Sequence, residues 1–271
     1  MTGPPSARDR ARQVLTAQVL GIARRQLAVD GVSGLSVRSV ARELGMVSSA
    51  VYRYVPSRDA LLVMVAREAY DAVGERAERA DRAAAAAGGD AGVRWLAVAR
   101  AVRTWALGHP HEFGLIFGTV PVEPPDPAEV RAVRLWRVVL AVMEAAVTSG
   151  ALVPSRHRLA VAGVLDPRLR PLFGEAQRPP FEDAPIRSIA LMSGLIGAIS
   201  VELHGHYARF SHDLDALFDL VVAAVADGAG LRLPVVATDP PAFDDGSDPD
   251  GSDRGGSDRG GRDRDGRDQD E

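Results

Sequence analysis

The most regular hydrophobic pattern in the chain predicts two short helices joined by a tight turn. Apolar residues recur at helical spacing from Val37 to Leu44, Gly45 interrupts them, and the same spacing resumes from Val47 to Tyr54. Helices this short are marginal on their own, so they require a longer partner with which to share a core. An apolar stripe upstream predicts that partner, and it consists of Leu15, Val19, Ile22 and Ala23. The pattern therefore predicts a three-helix unit of the helix-turn-helix kind.

The polar residues outside this core are suited to DNA. The second short helix exposes Ser48, Ser49, Tyr52 and Arg53, and Arg38 lies in the first turn of the helix before it. Their hydroxyl groups and guanidinium forks match phosphates and guanine edges in a major groove. Residues 1–60 carry nine arginines against four acidic residues, although the whole chain has a net charge of −4. The basic surplus thus coincides with the predicted DNA-facing unit.

The same region resembles the DNA-binding domain of the tetracycline-repressor (TetR) family. The residues that carry the resemblance are the run Ala41 to Gly45, then Tyr52-Arg53-Tyr54-Val55, then Ser57 to Leu62. They correspond to the family's alanine-to-glycine turn, its tyrosine-rich close and the Ser-Lys-Leu-Leu segment that follows. The plainer alternative is an ordinary pair of amphipathic helices inside an all-helical protein.

The resemblance implies roles for eight residues. Arg38 is expected to reach a base edge, while Ser48, Ser49 and Arg53 are expected to face the groove. Phosphate contacts, which set register rather than sequence, are expected from Tyr52, Tyr54, Ser36 and Arg58. Simpler interpretations stay open for two of them, since Tyr54 could pack its ring at the domain edge and Arg53 could be a solvated charge.

Two positions depart from the family pattern. Val47 stands where the family usually has a small polar capping residue, so Ser48 is expected to take over the cap. Arg58 replaces the usual lysine, which keeps the positive charge and permits a bidentate phosphate contact.

Composition removes several classes of chemistry. The 271 residues include no cysteine, which excludes disulfides, zinc–thiolate sites and thiol redox sensing. Lysine is absent as well, because all 32 basic residues are arginine, and this removes Schiff-base and P-loop mechanisms. Since no Ser-His-Asp context is recognisable either, we expect a protein that is not an enzyme and needs no cofactor. The N-terminal segment lacks an apolar signal, so a cytoplasmic location is expected.

The rest of the chain predicts further helices and an all-α fold. A long helix is expected from about Ser57 to the alanine run at 83–87, where two glycines end it. Later helices are expected over 91–107, 111–117 and 128–149, with a proline-rich loop at 121–127 and no assignment for 154–185. We therefore predict a DNA-binding domain at 1–65, a helical ligand-binding and dimerisation domain at 66–235 and a disordered tail at 236–271.

The tail is acidic and of low complexity. Residues 240–271 hold eleven acidic residues against five arginines, so they cannot form a buried core. A solubilising role is the simpler interpretation. The alternative is that the tail competes with DNA for the basic unit and weakens non-specific binding.

Two apolar helices before the tail predict a homodimer. Residues 189–201 form a mostly apolar stretch that is too short to span a bilayer. A helix that is apolar nearly all round must be covered on both sides, and the amphipathic segment 212–227 offers a neighbour. Two such helices from each subunit make a four-helix bundle. The alternative is that both are core helices of a monomer.

Aromatic and polar residues in the middle of the chain predict a small-molecule cavity between helices. The candidates for its lining are Trp105, His109, Phe113, Phe117, Trp136 and Glu202. Ordinary core packing is the simpler account of any single ring. The runs Trp105 to Phe113 and Val201 to His206 are similar to the TetR subgroup whose ligand domain is labelled Trp-His-Gly (WHG). The usual motif of its penultimate helix is degraded here, which weakens any ligand inference from the subgroup.

Two His-x-His pairs raise the competing hypothesis of a metal site. Side chains two residues apart on a helix point about 200° apart. Neither His109 with His111 nor His204 with His206 can therefore chelate through both rings unless the backbone there is irregular. A site with one histidine from each pair plus Glu202 is conceivable, but no metal is expected.

These features together predict a homodimeric transcriptional regulator. As the resemblance implies, it is a repressor that binds a palindromic operator in double-stranded DNA and leaves it when a small effector binds. A ligand-independent DNA-binding activator or architectural protein is the alternative. A solidly packed middle domain would favour that alternative, and a well-formed pocket would oppose it.

Overall fold

The computed structural model describes residues 6–118, 134–154, 164 and 179–234. Regular structure in these ranges is entirely helical, which confirms the predicted all-α class. The helices are α1 (Ala7–Gly34), α2 (Val37–Glu43), α3 (Ser48–Tyr52), α4 (Arg58–Ala86), α5 (Ala91–Gly108), α6 (Pro110–Phe117), α7 (Arg134–Thr148), α8 (Ala184–Leu203) and α9 (Leu214–Gly228), with a 3-10 turn at His206–Arg209. The predicted loop at 121–127, the start of the seventh helix and the tail lie outside the described residues.

Local hydrogen bonds and a glycine set the ends of the first three helices. Ser6 and Asp9 form a capping box at the start of α1, and Ser36 caps α2 by accepting the amide of Ser39 at 3.0 Å. Gly45 occupies the turn between α2 and α3 with φ +69°, a left-handed conformation that favours glycine. The predicted helix-turn-helix arrangement is therefore present.

The start of α3 differs from the expectation. The prediction that Ser48 caps this helix is wrong, because Val47 occupies the N-cap position and Ser48 is the first helical residue. Val47 makes no side-chain cap hydrogen bond, and a hydroxyl one position further on is not placed to accept the amides of the first turn. Packing of the buried Val51 side chain against the core holds this five-residue helix instead.

The long helix α4 connects the helix-turn-helix unit to the later helices. Ser57 caps it by accepting the amide of Ala60 at 3.0 Å. At its middle, Gly74 allows close approach of α7, since a Cβ there would lie 2.7 Å from the Cβ of Arg134. Buried side chains from α1 to α9 form one continuous core. The domain limits at residues 65 and 235 stay predictions.

Arginines from neighbouring helices brace α4 at part-buried positions. Arg94 of α5 donates to both carboxylate oxygens of Asp81, at 2.8 and 3.0 Å. Arg134 of α7 does the same with Glu78, at 3.0 and 2.7 Å. Because these hydrogen bonds from Arg134 favour the charged carboxylate, the pKa of Glu78 lies below its usual range.

Helix α8 is longer than the predicted apolar stretch and packs on α9. Its first turn contains the buried Arg187, which donates to Asp183 at 3.0 Å and to the carbonyl oxygen of Val153 at 2.7 Å. Further along, Gly194 faces Val225 of α9 so closely that a Cβ would overlap it. In the described part of the chain, α8 alone is long and apolar enough to cross a membrane by length and composition, and 44% of that window is buried inside the fold.

One arginine ties α5, α8 and α9 together. Arg103 donates to both carboxylate oxygens of Glu202 at 2.7 Å and to Asp215 at 2.6 Å. Its guanidinium carbon also lies 4.9 Å from the centroid of the Phe218 ring. Helix α9 is therefore linked to α5 through Asp215 and Phe218.

Candidate nucleic-acid interface

The outer face of α3 presents most of the predicted groove residues. Val51 is buried and anchors the helix, while Ser48 is half-buried at its start. The exposed residues of α3 and its end are Ser49, Tyr52 and Arg53. Arg38, the second residue of α2, is exposed as well. Hydroxyl, phenol and guanidinium groups on a short exposed helix are suited to a DNA groove.

Two of the predicted phosphate-binding side chains are engaged within the protein. The hydroxyl of Ser36 is bonded to Ser39 as part of the α2 cap. Arg58 donates from Nε to the carbonyl oxygen of Leu35 at 3.0 Å and from Nη2 to that of Val32 at 2.6 Å. Since a guanidinium carries five N–H donors, Arg58 can fasten the end of α1 to the start of α4 and still donate to a phosphate.

Tyr54 lies at the edge of the unit, just beyond α3, and is half-buried. Its ring faces Arg12 of α1, whose guanidinium carbon is 6.0 Å from the ring centroid. This distance is at the limit of a cation–π contact. The contact brings the first turns of α1 to the same edge of the unit as the end of α3, which no sequence pattern indicated.

Five of the six predicted ligand-lining residues lie in or beside the core of the later helices. Trp105 is buried, and the ring of His109 stacks on it with centroids 5.5 Å apart. Phe113 is buried and Phe117 half-buried, with ring centroids 5.0 Å apart. Trp136 is half-buried against the same core.

Glu202 has a different environment from the other five. Both of its carboxylate oxygens accept hydrogen bonds from Arg103, and its side chain is only 5% exposed. A ligand that used this carboxylate would have to compete with the guanidinium.

Two indole nitrogens in the core lack a hydrogen-bond partner among the described residues. They belong to Trp95 and Trp105, which both lie on α5 and are each 1% exposed. Buried N–H groups are nearly always bonded, so these two donors are exceptions in the described core. Trp95 was not among the predicted residues, because its position alone does not distinguish it from an ordinary core tryptophan.

The structure also shows a link between α1 and α6 that the sequence did not indicate. Arg24 donates from Nε to Oε1 of Glu112 at 2.9 Å and from Nη2 to Oε2 at 3.2 Å. The neighbouring His111 faces Gly31 of α1, where a Cβ would lie 3.8 Å from the histidine Nδ1. The residues of the ion pair are 88 positions apart, so no local spacing could have joined them.

The histidine pairs do not assemble a metal site in the residues described. No group of three or more His, Asp or Glu side chains in those ranges is placed to hold a metal ion. The rings of His204 and His206 lie nearly parallel with centroids 6.3 Å apart. The helical geometry assumed for this pair does not apply, because α8 ends at Leu203 and Gly205 follows with φ +74°.

Comparison with known families agrees with this geometry. Residues 19–65 match a family model described as bacterial regulatory proteins, tetR family, and residues 95–225 match one described as tetracyclin repressor-like, C-terminal domain. The chain belongs to the TetR family of transcriptional regulators. The resemblance carried by the helix-turn-helix residues is thereby confirmed, and with it a DNA-binding regulator, a class whose members are typically not enzymes. The finer WHG assignment stays a prediction.

Relatives of this TetR-family protein match over most of their length. The HTH-type transcriptional regulator Rv1816 of Mycobacterium tuberculosis is 35% identical over 233 residues, which cover 80% of this chain and 94% of the relative. Its Mycobacterium bovis counterpart in the comparison, the HTH-type transcriptional regulator Mb1846, matches with the same identity and coverage.

Solved structures show the same fold. The regulatory protein SCO4313 superposes with a TM-score of 0.59 and 29% identity, covering 82% of this chain and 100% of that one. RolR in complex with the ligand resorcinol superposes with a TM-score of 0.52 and 18% identity, covering 82% of this chain and 91% of RolR.

Proposed function

We propose that this TetR-family chain is a homodimeric repressor, which binds a palindromic operator and leaves it when a small molecule binds its C-terminal domain. The observation that carries the proposal is the exposed polar face of α3, together with the exposed Arg38, on a unit with a surplus of arginine. A protein of this kind acts on DNA in the cytoplasm and uses neither a cofactor nor catalytic residues.

The eight residues predicted to contact DNA divide into two roles. Arg38 is assigned to a base edge, because a guanidinium can donate two hydrogen bonds to guanine. Ser48, Ser49 and Arg53 are assigned to the same groove. Phosphates are assigned to four residues that border the groove face, namely Ser36, Tyr52, Tyr54 and Arg58.

The sides of α8 and α9 that face away from the core support a dimer. Three exposed small residues share one face of α8, and they are Ala190, Ser193 and Gly197. On α9, Leu220 is 52% exposed and lies between Ala216 and Ala224 on one exposed line. Small side chains let helices of two subunits approach closely, and a dimer can present two α3 helices to successive major grooves about 34 to 36 Å apart.

The ligand is assigned to the core around Trp105. The unpartnered indole N–H group of Trp105 supports this assignment, because it can donate to an acceptor on a largely apolar molecule. The His109 ring stacked on Trp105 provides a flat surface beside it, and Phe113 is buried in the same core. RolR, which has the same fold, is seen with resorcinol, so the fold can hold a small aromatic molecule.

Helix α6 connects the assigned ligand site with the DNA-binding unit. Phe113 of α6 is buried in the core, and the preceding residue, Glu112, accepts a hydrogen bond from Arg24 of α1. A ligand that displaces Phe113 would therefore move the partner of Arg24. The ligand can release DNA only if it binds the released state more tightly than the DNA-bound state.

Transcription in vitro tests the repressor role. The template carries the palindrome selected by the full-length protein, and Arg38→Ala serves as the matched variant. A repressor lowers transcript with the wild type and not with the variant, whereas an activator raises it. An architectural protein affects templates with and without the palindrome alike.

Competition with an apolar dye tests the ligand site. We expect 1-anilinonaphthalene-8-sulfonate to bind the C-terminal domain and to weaken operator binding, and operator DNA to weaken dye binding by the same factor, because coupling between sites is reciprocal. Dye binding without any effect on operator affinity would contradict release by a ligand at this site.

A further inference from the structure

Helix α1 begins well before the residues that match the DNA-binding family model. The matched DNA-binding model begins at residue 19, whereas α1 begins at Ala7. Residues 7–14 are exposed, and a capping box between Ser6 and Asp9 stabilises the start of the helix. About three turns of helix therefore precede the matched residues.

Arg8 and Arg12 lie on the same side of α1 as its core-facing residues. At 100° per residue, Arg8, Arg12, Leu15 and Val19 fall within about 60° of one another around the helix. Leu15 is half-buried and Val19 buried, but both arginines are exposed. Arg8 and Arg12 therefore form a cationic surface on the core-facing side of α1, where this helix extends past the edge of the helix-turn-helix unit.

The contact between Arg12 and Tyr54 identifies that edge. The guanidinium of Arg12 is 6.0 Å from the Tyr54 ring, and Tyr54 follows directly after the end of α3. Arg8 lies one turn earlier on the same side, about 6 Å further along the helix axis. Both cations therefore continue the surface formed by α3 and Tyr54.

The acidic residue in this part of α1, Asp9, offsets only part of the charge of the two arginines. It lies about 100° around the helix from Arg8 and about 60° from Arg12. Its carboxylate accepts hydrogen bonds from the amide and the hydroxyl of Ser6, at 3.2 and 2.6 Å. These hydrogen bonds, and with them the charge of Arg12, lower the pKa of the Asp9 carboxyl. The side that carries Arg8 and Arg12 remains the cationic one.

We infer that the first turns of α1 form an additional DNA contact, in which Arg8 and Arg12 bind backbone phosphates next to the one assigned to Tyr54. The inference rests on the proposed function, and its partner is the sugar-phosphate backbone of duplex DNA. Charge complementarity and continuity with the α3 surface carry it. Phosphate contacts position a protein without reading sequence, so the additional contact strengthens binding to every duplex.

The test compares the double variant Arg8→Ala/Arg12→Ala with the wild-type full chain. The control is Arg76→Ala/Arg79→Ala, which removes the same charge from exposed positions on α4. Affinity for the selected operator duplex is measured from low to near-physiological salt. We expect the slope of log affinity against log salt to fall by about 2 for the α1 variant, because each phosphate contact contributes about 0.9, and affinity at low salt to fall at least about tenfold. The preferred sequence is expected to stay the same.

The outcomes separate this inference from the proposed function. The inference is overturned, and the proposed function is not, if the wild type selects an operator but the α1 variant keeps the wild-type salt slope. The same holds if the α1 variant loses no more DNA affinity than the α4 control. A wild type with no sequence preference overturns the proposed function and the inference together. Circular dichroism and thermal unfolding check that the variants fold, and Arg8→Lys/Arg12→Lys is expected to regain most of the salt slope because it retains both charges.

Discussion

Arg24 of α1 holds Glu112 of α6 through two charge-assisted hydrogen bonds, at 2.9 and 3.2 Å. The Glu112 side chain is 8% exposed and that of Arg24 is 34% exposed. The carboxylate is thus the more buried partner, and it depends on the guanidinium to offset the loss of its hydration. The pair fastens the DNA-binding unit to the helix that follows the stacked Trp105 and His109 rings.

Removal of Arg24 is expected to cost more stability than removal of the Glu112 charge. Arg24→Met leaves a buried carboxylate unpaired, and we expect the free energy of unfolding to fall by about 1 to 3 kcal/mol. Glu112→Gln leaves an amide oxygen that still accepts from Arg24, so we expect a loss of about 1 kcal/mol or less. Denaturant unfolding of the single and double variants gives the coupling energy. Two single variants as stable as the wild type would show that the pair contributes nothing.

Arg38→Ala is expected to relax operator choice. A good base contact discriminates by about 1 to 3 kcal/mol, so the variant is expected to lose that preference at one position in each half-site and keep most of its non-specific binding. Competitive binding to the selected operator and to single-base variants measures the change, with Arg76→Ala on α4 as the control. An unchanged preferred sequence with unchanged affinity would show that Arg38 does not contact bases.

Arg58→Ala is expected to affect both folding and DNA binding. The guanidinium donates to the carbonyl oxygens of Val32 and Leu35, so its loss is expected to lower the free energy of unfolding by about 1 kcal/mol. Loss of a phosphate contact is expected to weaken binding to all duplexes alike and to reduce the salt slope by about 1. Thermal unfolding and salt-dependent binding measure the two effects separately. If the variant is destabilised but keeps the wild-type salt slope, Arg58 makes only the internal contacts and does not bind a phosphate.

Leu220→Arg is expected to dissociate the dimer. Leu220 is 52% exposed on the outer line of α9, where a charge would be buried against the second subunit. We expect the dimer dissociation constant to rise at least about tenfold, as measured by analytical ultracentrifugation. Leu107→Arg is the matched control, because Leu107 is 43% exposed on α5. If both variants dimerise like the wild type, α9 does not form the interface.

Lowering the pH is expected to weaken the contact between α4 and α7. The folded-state pKa of Glu78 is lowered, first by hydrogen bonds from Arg134. A carboxyl group with a lowered folded pKa contributes stability above its unfolded pKa of about 4.3, and that contribution is lost as pH falls through the folded value. Glu78→Gln is therefore expected to lower stability at neutral pH and to flatten its decline below about pH 4, as measured by denaturant unfolding across pH. Glu144→Gln on exposed α7 surface is the control, and an identical pH profile for both variants would contradict the assignment.

The positions of most helices could be predicted because their causes are local. Serine at residues 36 and 57 and glycine at residues 45 and 88 mark helix ends through hydrogen bonds and backbone conformation within a few residues. The apolar spacing from Val47 to Tyr54 also includes Val51, which is buried. The cap of α3 was predicted wrongly, because Val47 takes the N-cap position without any side-chain hydrogen bond. The buried Val51, and not a capping side chain, holds this helix in place.

The contacts between distant helices could not be predicted from spacing. Arg24 with Glu112, Arg103 with Glu202 and Arg12 with Tyr54 join residues that are far apart in the sequence. No local spacing or motif links the two members of any of these pairs. For this reason Glu202 was expected in a ligand cavity, whereas the structure shows its carboxylate bound to an arginine.

Selection of bound sequences from a random duplex pool, with the full-length protein at near-physiological salt, tests whether the chain is a dimeric, sequence-specific DNA-binding protein. We predict enrichment of a palindrome whose half-sites lie about one helical turn or a multiple apart, since two α3 helices of a dimer must reach successive major grooves. Absence of any enriched sequence, with binding that disappears as salt rises, would contradict this prediction and would leave only non-specific attraction between arginines and phosphates.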